Sequence, residues 1–285
     1  MSGYPAEDPG SKRADMLEIA LNLLNYKGAL IGLLVLLPLE RLLPMHQDQK
    51  ILRRAWKNDL VYLIVNGIYV GAGLSAFFVG IDYLTEKFVP QSLRVAVAAQ
   101  PSLLQFVEIL IVSDLGFYAV HRMFHAIPWL WNFHQIHHSI EELDWLAGFR
   151  VHPIDQILTK GISLAPVLML GFSAAPIVAA AWLYLCQSMF IHANVRTGGF
   201  GPARWLLASP EFHHWHHADD PRAYNANFAG QLPILDLLFG IMYMPRKIPD
   251  GYGIEQVIPD TYISQLFYQI DDNYPVVLKT RADTH

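Results

Sequence analysis

Histidine is the residue in this chain whose placement calls for a chemical reason. Eleven of the thirteen histidines fall between residues 121 and 217; only His46 and His285 lie outside. Most of them stand in boxes: His121-xxx-His125, His134-xx-His137-His138, and His213-xx-His216-His217 within Glu211-Phe-His-His-Trp-His-His217. His152 and His192 stand alone. On a helix, positions i and i+4 are neighbours and i, i+3 and i+4 share a face, so each box can aim two or three imidazoles at one point. Neutral imidazole is a ligand for Fe, Zn, Cu and Ni. A lone histidine on an apolar face is usually core or surface, but three multi-histidine boxes together are not. A closed zinc site takes four ligands, and the eight box histidines exceed that, so two ions are the simpler account. Soluble di-iron bundles draw on Glu and Glu-x-x-His ligands, so a set this rich in histidine would be a site of another kind.

The composition says where such a site would sit. The chain has 285 residues, 53% hydrophobic and only 16% charged, with mean hydropathy +0.26. That is too apolar for an ordinary soluble domain. A net charge of −5 gives no electrostatic footprint for nucleic acid. The single cysteine, Cys186, excludes an internal disulfide framework and a cysteine-held iron–sulfur cluster. Residues 1–15 are polar and Gly/Pro-bearing, a loose tail with no cleavable signal after it.

The elements that must position the histidines are apolar helices. Residues 16–39 form a first membrane-helix candidate, interrupted early by Glu18, Asn22, Asn25 and Lys27. Residues 60–81 run 22 positions without a charge, enough to span a bilayer, and 103–120 lead straight into His121. Between the first two lies a loop, 40–59, with Arg41, Lys50, Arg53, Arg54 and Lys57. The positive-inside rule puts it in the cytoplasm, and with it the start of the boxes. Lys12 and Arg13 pull weakly the other way. Residues 161–191 carry no charge over 31 positions, roughly 46 Å as one helix and too long for a core of about 30 Å. Pro166 and Ser173-Ala-Ala-Pro176 predict two arms of about 15 residues, a hairpin that leaves on the side it entered. That return brings His192 back to the other boxes.

The expected architecture is therefore all-α: a polytopic membrane bundle with a histidine-rich metal site on its cytosolic face. A single domain over 16–245 stands between the tail 1–15 and a C-terminal tail, 246–285. Asp114 falls on one stripe with Tyr118, His121 and His125, and a carboxylate in a membrane helix is a functional hint. Its expected role is to accept an N–H from a metal-bound ring.

Taken in order, H-x-x-x-H, H-x-x-H-H-S, R-x-H-P, H-A-N and H-H-W-H-H resemble the fatty acid hydroxylase/sterol desaturase superfamily of membrane di-iron oxygenases. The matching residues are His121 to His125, His134 to Ser139, Arg150 to Pro153, His192 to Asn194 and His213 to His217. The close Asn225-Ala-Asn-Phe-Ala…Leu235-Asp236-Leu-Leu-Phe239-Gly240 is similar to the family's N-Y-G…W-D-x-x-F-G-T. The R-x-H-P and W-D-like elements point to its sterol desaturase branch. Departures are Phe228-Ala229 for Tyr-Gly, Leu235 for Trp, Ile241 for Thr and Asp144 where Asn is common. They bear on the substrate more than on the metal site.

The resemblance implies nine ligands: His121, His125, His134, His137, His138, His192, His213, His216 and His217. His152, His214, Asp114, Asp144, Asn225 and Asn227 are candidates for a further ligand or for a group that orients one. His214 interrupts the last box on a different helical face. The resemblance also implies two Fe2+ ions, O2 as co-substrate and oxidation of an unactivated C–H bond of a lipid to an alcohol or an alkene. No catalytic residue beyond the metal centre is implied. Zinc binds such sites tightly and is the expected contaminant on purification. Gly198-Gly199-x-Gly201 lacks the spacing of a dinucleotide fingerprint, so the electrons must come from a separate reductase, ferredoxin or cytochrome. The basic 40–59 loop is a candidate dock for it. The rival readings are a metal-binding or transport protein and a family member without activity. A transporter would carry its ionisable groups near mid-span, whereas these histidines lie at helix ends.

Overall fold

The computed structural model describes residues 26–268. The expectations for residues 1–15, for the first ten residues of the first helix and for residues 269–285 lie outside the described residues. Among those described, every regular element is helical. The described part begins with α1 (Tyr26–Ile31), passes through a π-helical turn (Gly32–Leu36) and continues as α2 (Leu37–Leu42). A Cβ on Gly32 would lie 2.1 Å from the Trp145 ring, so the helix can pass this close to Trp145 only at a glycine.

The frame is made by α3 (Trp56–Phe88), α5 (Ser102–Ala126), α7 (Pro153–Leu170) and α8 (Ala174–His192), with the short α4 (Gln91–Ala98) between α3 and α5. Helix α7 packs against both α3 and α5, and α8 lies against α5. Three of the four, α3, α5 and α8, are long and apolar enough to cross a membrane. Their outward faces are apolar and open: Ile64 and Ile68 on α3 and Leu103 on α5 are all more than 60% exposed. Such a surface is a liability in water and ordinary against lipid tails.

The hairpin forms, with two differences. Its turn falls at Gly171, in the left-handed conformation (φ 80°), just ahead of the Ser173–Pro176 break, and Pro166 is accommodated inside α7. Its first arm starts at Pro153, not 161. The uncharged stretch hides this, because Asp155, Gln156, Thr159 and Lys160 belong to the helix as well. The arms are 18 and 19 residues, roughly 27 Å each and long enough to approach the far side of the apolar core.

Small residues set the spacing of the frame. A Cβ on Gly116 of α5 would meet the Cα of Ser163 on α7 at 2.8 Å, and one on Gly73 of α3 would meet the Ile157 side chain at 2.4 Å. Close helix approach at glycine is a means of gaining contact where no hydrophobic force acts between helices. Gly116→Leu should destabilise the protein in detergent by about 1–3 kcal/mol, the usual range for overpacking. Gly80→Ala, with nothing within 4 Å of the added atom, is the neutral control. Equal thermal midpoints for the two variants would refute this account of the α5–α7 contact.

Candidate metal centre

The histidines gather at one end of the frame, where α5 and α8 finish and α7 starts. Helix α5 stops at Ala126 because Ile127 precedes Pro128, and a residue before proline is pushed out of helical geometry. Pro128 then opens α6 (Pro128–His138), whose last turn presents His134, His137 and His138. Helix α9 (Pro210–His216) is started by the Ser209 side chain, which accepts from the Phe212 N–H, and by Pro210 at its first position. The rings of α5, α6, α8 and α9 meet in the interior.

They meet in two groups. His121, His125, His134, His138 and His216 form one; His137, His192, His213 and His217 form the other. Within each group, one nitrogen per ring lies within 4.8 Å of all the others. The groups adjoin, with the His138 and His217 rings stacked at 4.5 Å. All nine residues for which the resemblance implies a ligand role are brought together here.

Hydrogen bonds on the far nitrogen orient five of these rings. The Nδ1–H of His121 donates to the Phe228 carbonyl at 2.8 Å, that of His137 to Arg150 at 3.0 Å, that of His192 to Ser188 at 2.6 Å and that of His216 to Ala226 at 2.8 Å. His134 donates to the Asp155 carboxylate at 2.7 Å. With the proton on Nδ1, each Nε2 carries a lone pair. Yet His121 Nε2 lies 3.1 Å from His134 Nε2, and His137 Nε2 lies 3.0 Å from His192 Nε2. Two lone pairs at that separation repel, and one such pair stands in each group. Nitrogens bound to a common ion at about 2.1 Å and at 90–109° to one another would be about 3.0–3.4 Å apart. The Nε2 atoms of His125 and His216 are likewise buried without a protein partner. The donor set fits one metal ion per group.

Other residues named from the sequence serve this arrangement without joining it. His152 caps α7: its Nδ1 accepts from the Ile154 N–H at 3.2 Å and its Nε2–H donates to the Leu266 carbonyl at 3.2 Å. His214 donates through Nε2 to the Ala193 carbonyl at 3.1 Å and accepts at Nδ1 from the Tyr252 hydroxyl at 2.7 Å. Glu211, three residues before it, accepts from the N–H groups of Thr197 and Gly198. Asp114 does not accept from a ring; its carboxylate takes the N–H groups of Gly230, Gln231 and Leu232 at 2.8–3.2 Å. The reason is that the loop after Phe228 folds over the end of that stripe. Asp144 bonds both Arg53 and the Ala147 N–H, away from the rings. Asn225 and Asn227 are left-handed (φ 55° and 59°), which aims the Ala226 and Phe228 carbonyls at His216 and His121.

Two contributors went unnoticed in the sequence. Asp155 is the carboxylate partner of a ring; an acid in the first turn of a helix is common for electrostatic reasons, and nothing in its spacing marks it. The second is a buried charge network in which Asp59 pairs with both Arg53 and Arg150, and Arg53 with Asp144. It holds the Arg150 backbone whose carbonyl orients His137.

Burial pushes the imidazoles of His137, His138, His213 and His217 well below the usual histidine range, and those of His214 and His216 to about 3; neighbouring rings add to the effect. These groups fold neutral, while in an unfolded chain they take up protons below about pH 6.5. Their stabilisation is complete above that value and is lost as pH falls toward the folded values, at up to about 1.4 kcal/mol per ring per pH unit. The metal-free protein should thus lose stability steeply between about pH 6.5 and 5. A denaturation midpoint that stays flat across that range would contradict the burial of neutral rings.

Comparison with known proteins agrees with this geometry. Residues 106–241 match the sequence model of the family described as fatty acid hydroxylase. The chain is 26% identical over 249 residues to the ornithine lipid hydroxylase of Rhizobium tropici, covering 80% of this chain and 70% of that protein. It is 31% identical over 147 residues to the alkylglycerol monooxygenase of Xenopus tropicalis, covering 51% of this chain and 32% of that one. A very-long-chain aldehyde decarbonylase of Oryza sativa subsp. indica is 26% identical over 185 residues, 59% of this chain and 29% of the relative. The chain thus spans about a third of the length of the last two. No solved structure matches it. With its boxes converging on two ring clusters at the end of an apolar helical frame, the chain is similar over residues 106–241 to the fatty acid hydroxylase family.

Proposed function

We propose that this protein is a multi-pass membrane oxygenase that hydroxylates a lipid at a centre of two iron ions, its site facing the cytoplasm. The observation that carries the reading is the pair of lone-paired nitrogens about 3 Å apart in each histidine group. His121, His125, His134, His138 and His216 would hold one ion, and His137, His192, His213 and His217 the other. Iron so held supplies O2 activation and removal of hydrogen from an unactivated C–H bond. The balance is R–H + O2 + 2 electrons + 2 protons to R–OH + water, with the electrons from a donor outside this chain. An alcohol, not an alkene, is favoured by the hydroxylase and monooxygenase names of the relatives.

The chain's own part is placement and exclusion of water. A cavity of about 120 Å³ opens on His121, His134, His137, His192 and His213 and is walled by Phe117, Phe149, Tyr184, Leu185 and Met189. A lipid chain lying between α5, α7 and α8 would reach the rings through it. Within the basic loop, Arg53 is committed to Asp59 and Asp144, so a donor protein could use only the exposed Arg41, Lys50, Arg54 and Lys57.

Protein grown in iron-replete medium and purified anaerobically should carry two irons per chain, and His137→Ala should lose them. Asp155→Asn, which removes the carboxylate behind His134, should weaken metal binding by about 10–100-fold while the fold persists. Cells supplied with labelled O2 should place one labelled oxygen in a membrane lipid only when the intact protein is present. A single tightly held zinc after iron loading, or an unchanged lipid profile, would overturn the reading.

A further inference from the structure

The cavity that opens on the rings has a mainly apolar wall, yet a cation borders it. Lys160 lies on α7 beside Gln156 and Thr159, with Tyr184 and Ser188 of α8 facing the same space. Its ammonium donates to Gln156 Oε1 at 3.0 Å, which uses one of three N–H donors. Asp155, five residues earlier, is already committed: Oδ2 accepts from His134 and Oδ1 from the Thr159 hydroxyl at 3.0 Å. Among the described residues, no ion pair involves Lys160. An ammonium inside an apolar bundle is costly unless something pairs it, and such residues face cavities that take a polar ligand.

We infer that Lys160 is a substrate-binding residue that donates to an acceptor oxygen of the lipid, a carboxylate or an acyl carbonyl, held in the same cavity as the metal-facing rings. Asp155 and Lys160 are separated by about 7.5 Å along the helix axis. An acceptor seated on Lys160 and a carbon at the rings therefore belong to one short stretch of lipid. Oxidation then falls near the polar end of an acyl lipid and not at the methyl end of its chain. A wholly hydrocarbon substrate would leave the ammonium without a counterpart. The cavity's role as a substrate site rests on the oxygenase reading; the presence of an acceptor-binding lysine does not.

The test uses metal-loaded protein in nanodiscs, titrated with palmitate, methyl palmitate and hexadecane and followed by its thermal midpoint. Palmitate should stabilise the wild type and Lys160→Arg, with half-saturation raised by about tenfold in Lys160→Met, the loss of one charge-assisted hydrogen bond. Lys160→Gln, which keeps a donor without the charge, serves if the Met variant does not fold. Hexadecane should act alike on every variant. A response to palmitate alone identifies an anionic acceptor, and equal responses to palmitate and its methyl ester a neutral carbonyl. No response of the wild type to either, or equal half-saturation in wild type and charge-free variant, overturns the assignment. Metal analysis of the same samples separates the two ideas. Two irons with lysine-independent binding sinks Lys160 alone; lysine-dependent binding in a protein that takes no iron sinks the oxygenase alone.

Discussion

The structure depends on a repulsion that the protein builds and then holds in place. Rings that could have relieved it by rotating, or by moving the proton to Nε2, are prevented by the bonds behind them. His121 and His137 are held by backbone carbonyls and His134 by Asp155. His192 is held by the carbonyl of its own helix, one turn back. Burial removes a second escape, because a protonated ring in this interior would be charged without solvent. A cation shared between the facing nitrogens would relieve the repulsion, and each ring group could hold one.

Most of the unusual features of the loops follow from the need to hold those carbonyls still. Phe228 and Ala229 are fixed by N–H bonds to the Asp236 carboxylate, which burial pushes up to about 6. Asn227 ties the same segment to the Phe212 carbonyl on α9 and to Tyr243. Asp114 fixes the next three residues. On the other side, Arg150 is anchored to Asp59 at the start of α3, and Asn66 reaches the Val151 carbonyl at 2.6 Å. The buried carboxylates therefore hold loops, and the loops hold rings. Glu40 extends the pattern, accepting from the N–H groups of Trp145 and Asn194 and so fastening α2 to the turn after His192.

This division of labour explains what could be read from the sequence. Ring positions were legible because helical spacing fixes which side chains share a face, and histidines at i, i+3 and i+4 leave a pattern in one dimension. The hairpin was legible because an uncharged stretch too long for one crossing must fold back. The start of α7 was not, because Asp155, Gln156 and Lys160 look like the end of a loop until the cavity they face is known. Asp155 fills the role expected of Asp114 for a similar reason. Asp114 shares a stripe with His121 and His125, but a stripe gives direction only, and the loop that covers it comes from more than 110 residues later. The Asp59–Arg150 contact crosses 91 residues, and no local pattern announces it.

Placing the centre at the helix ends, not in mid-span, follows from the same requirements. Neutral rings need a dry interior, but the carbonyls and carboxylates that orient them come from irregular backbone, which lipid tails do not tolerate unless protein covers it. The end of an apolar frame satisfies both conditions. The long helices supply depth and an apolar outer wall, while the loops of residues 139–152 and 218–233 fold back over the rings. The cavity at the rings lies between α5, α7 and α8, with a mainly apolar wall. The polar residues on the first turns of α7 stand along it, where the apolar frame gives way to the site. Helix α7 is the one of the four long helices that is not apolar enough to cross a membrane, and its first turns border the cavity at the rings.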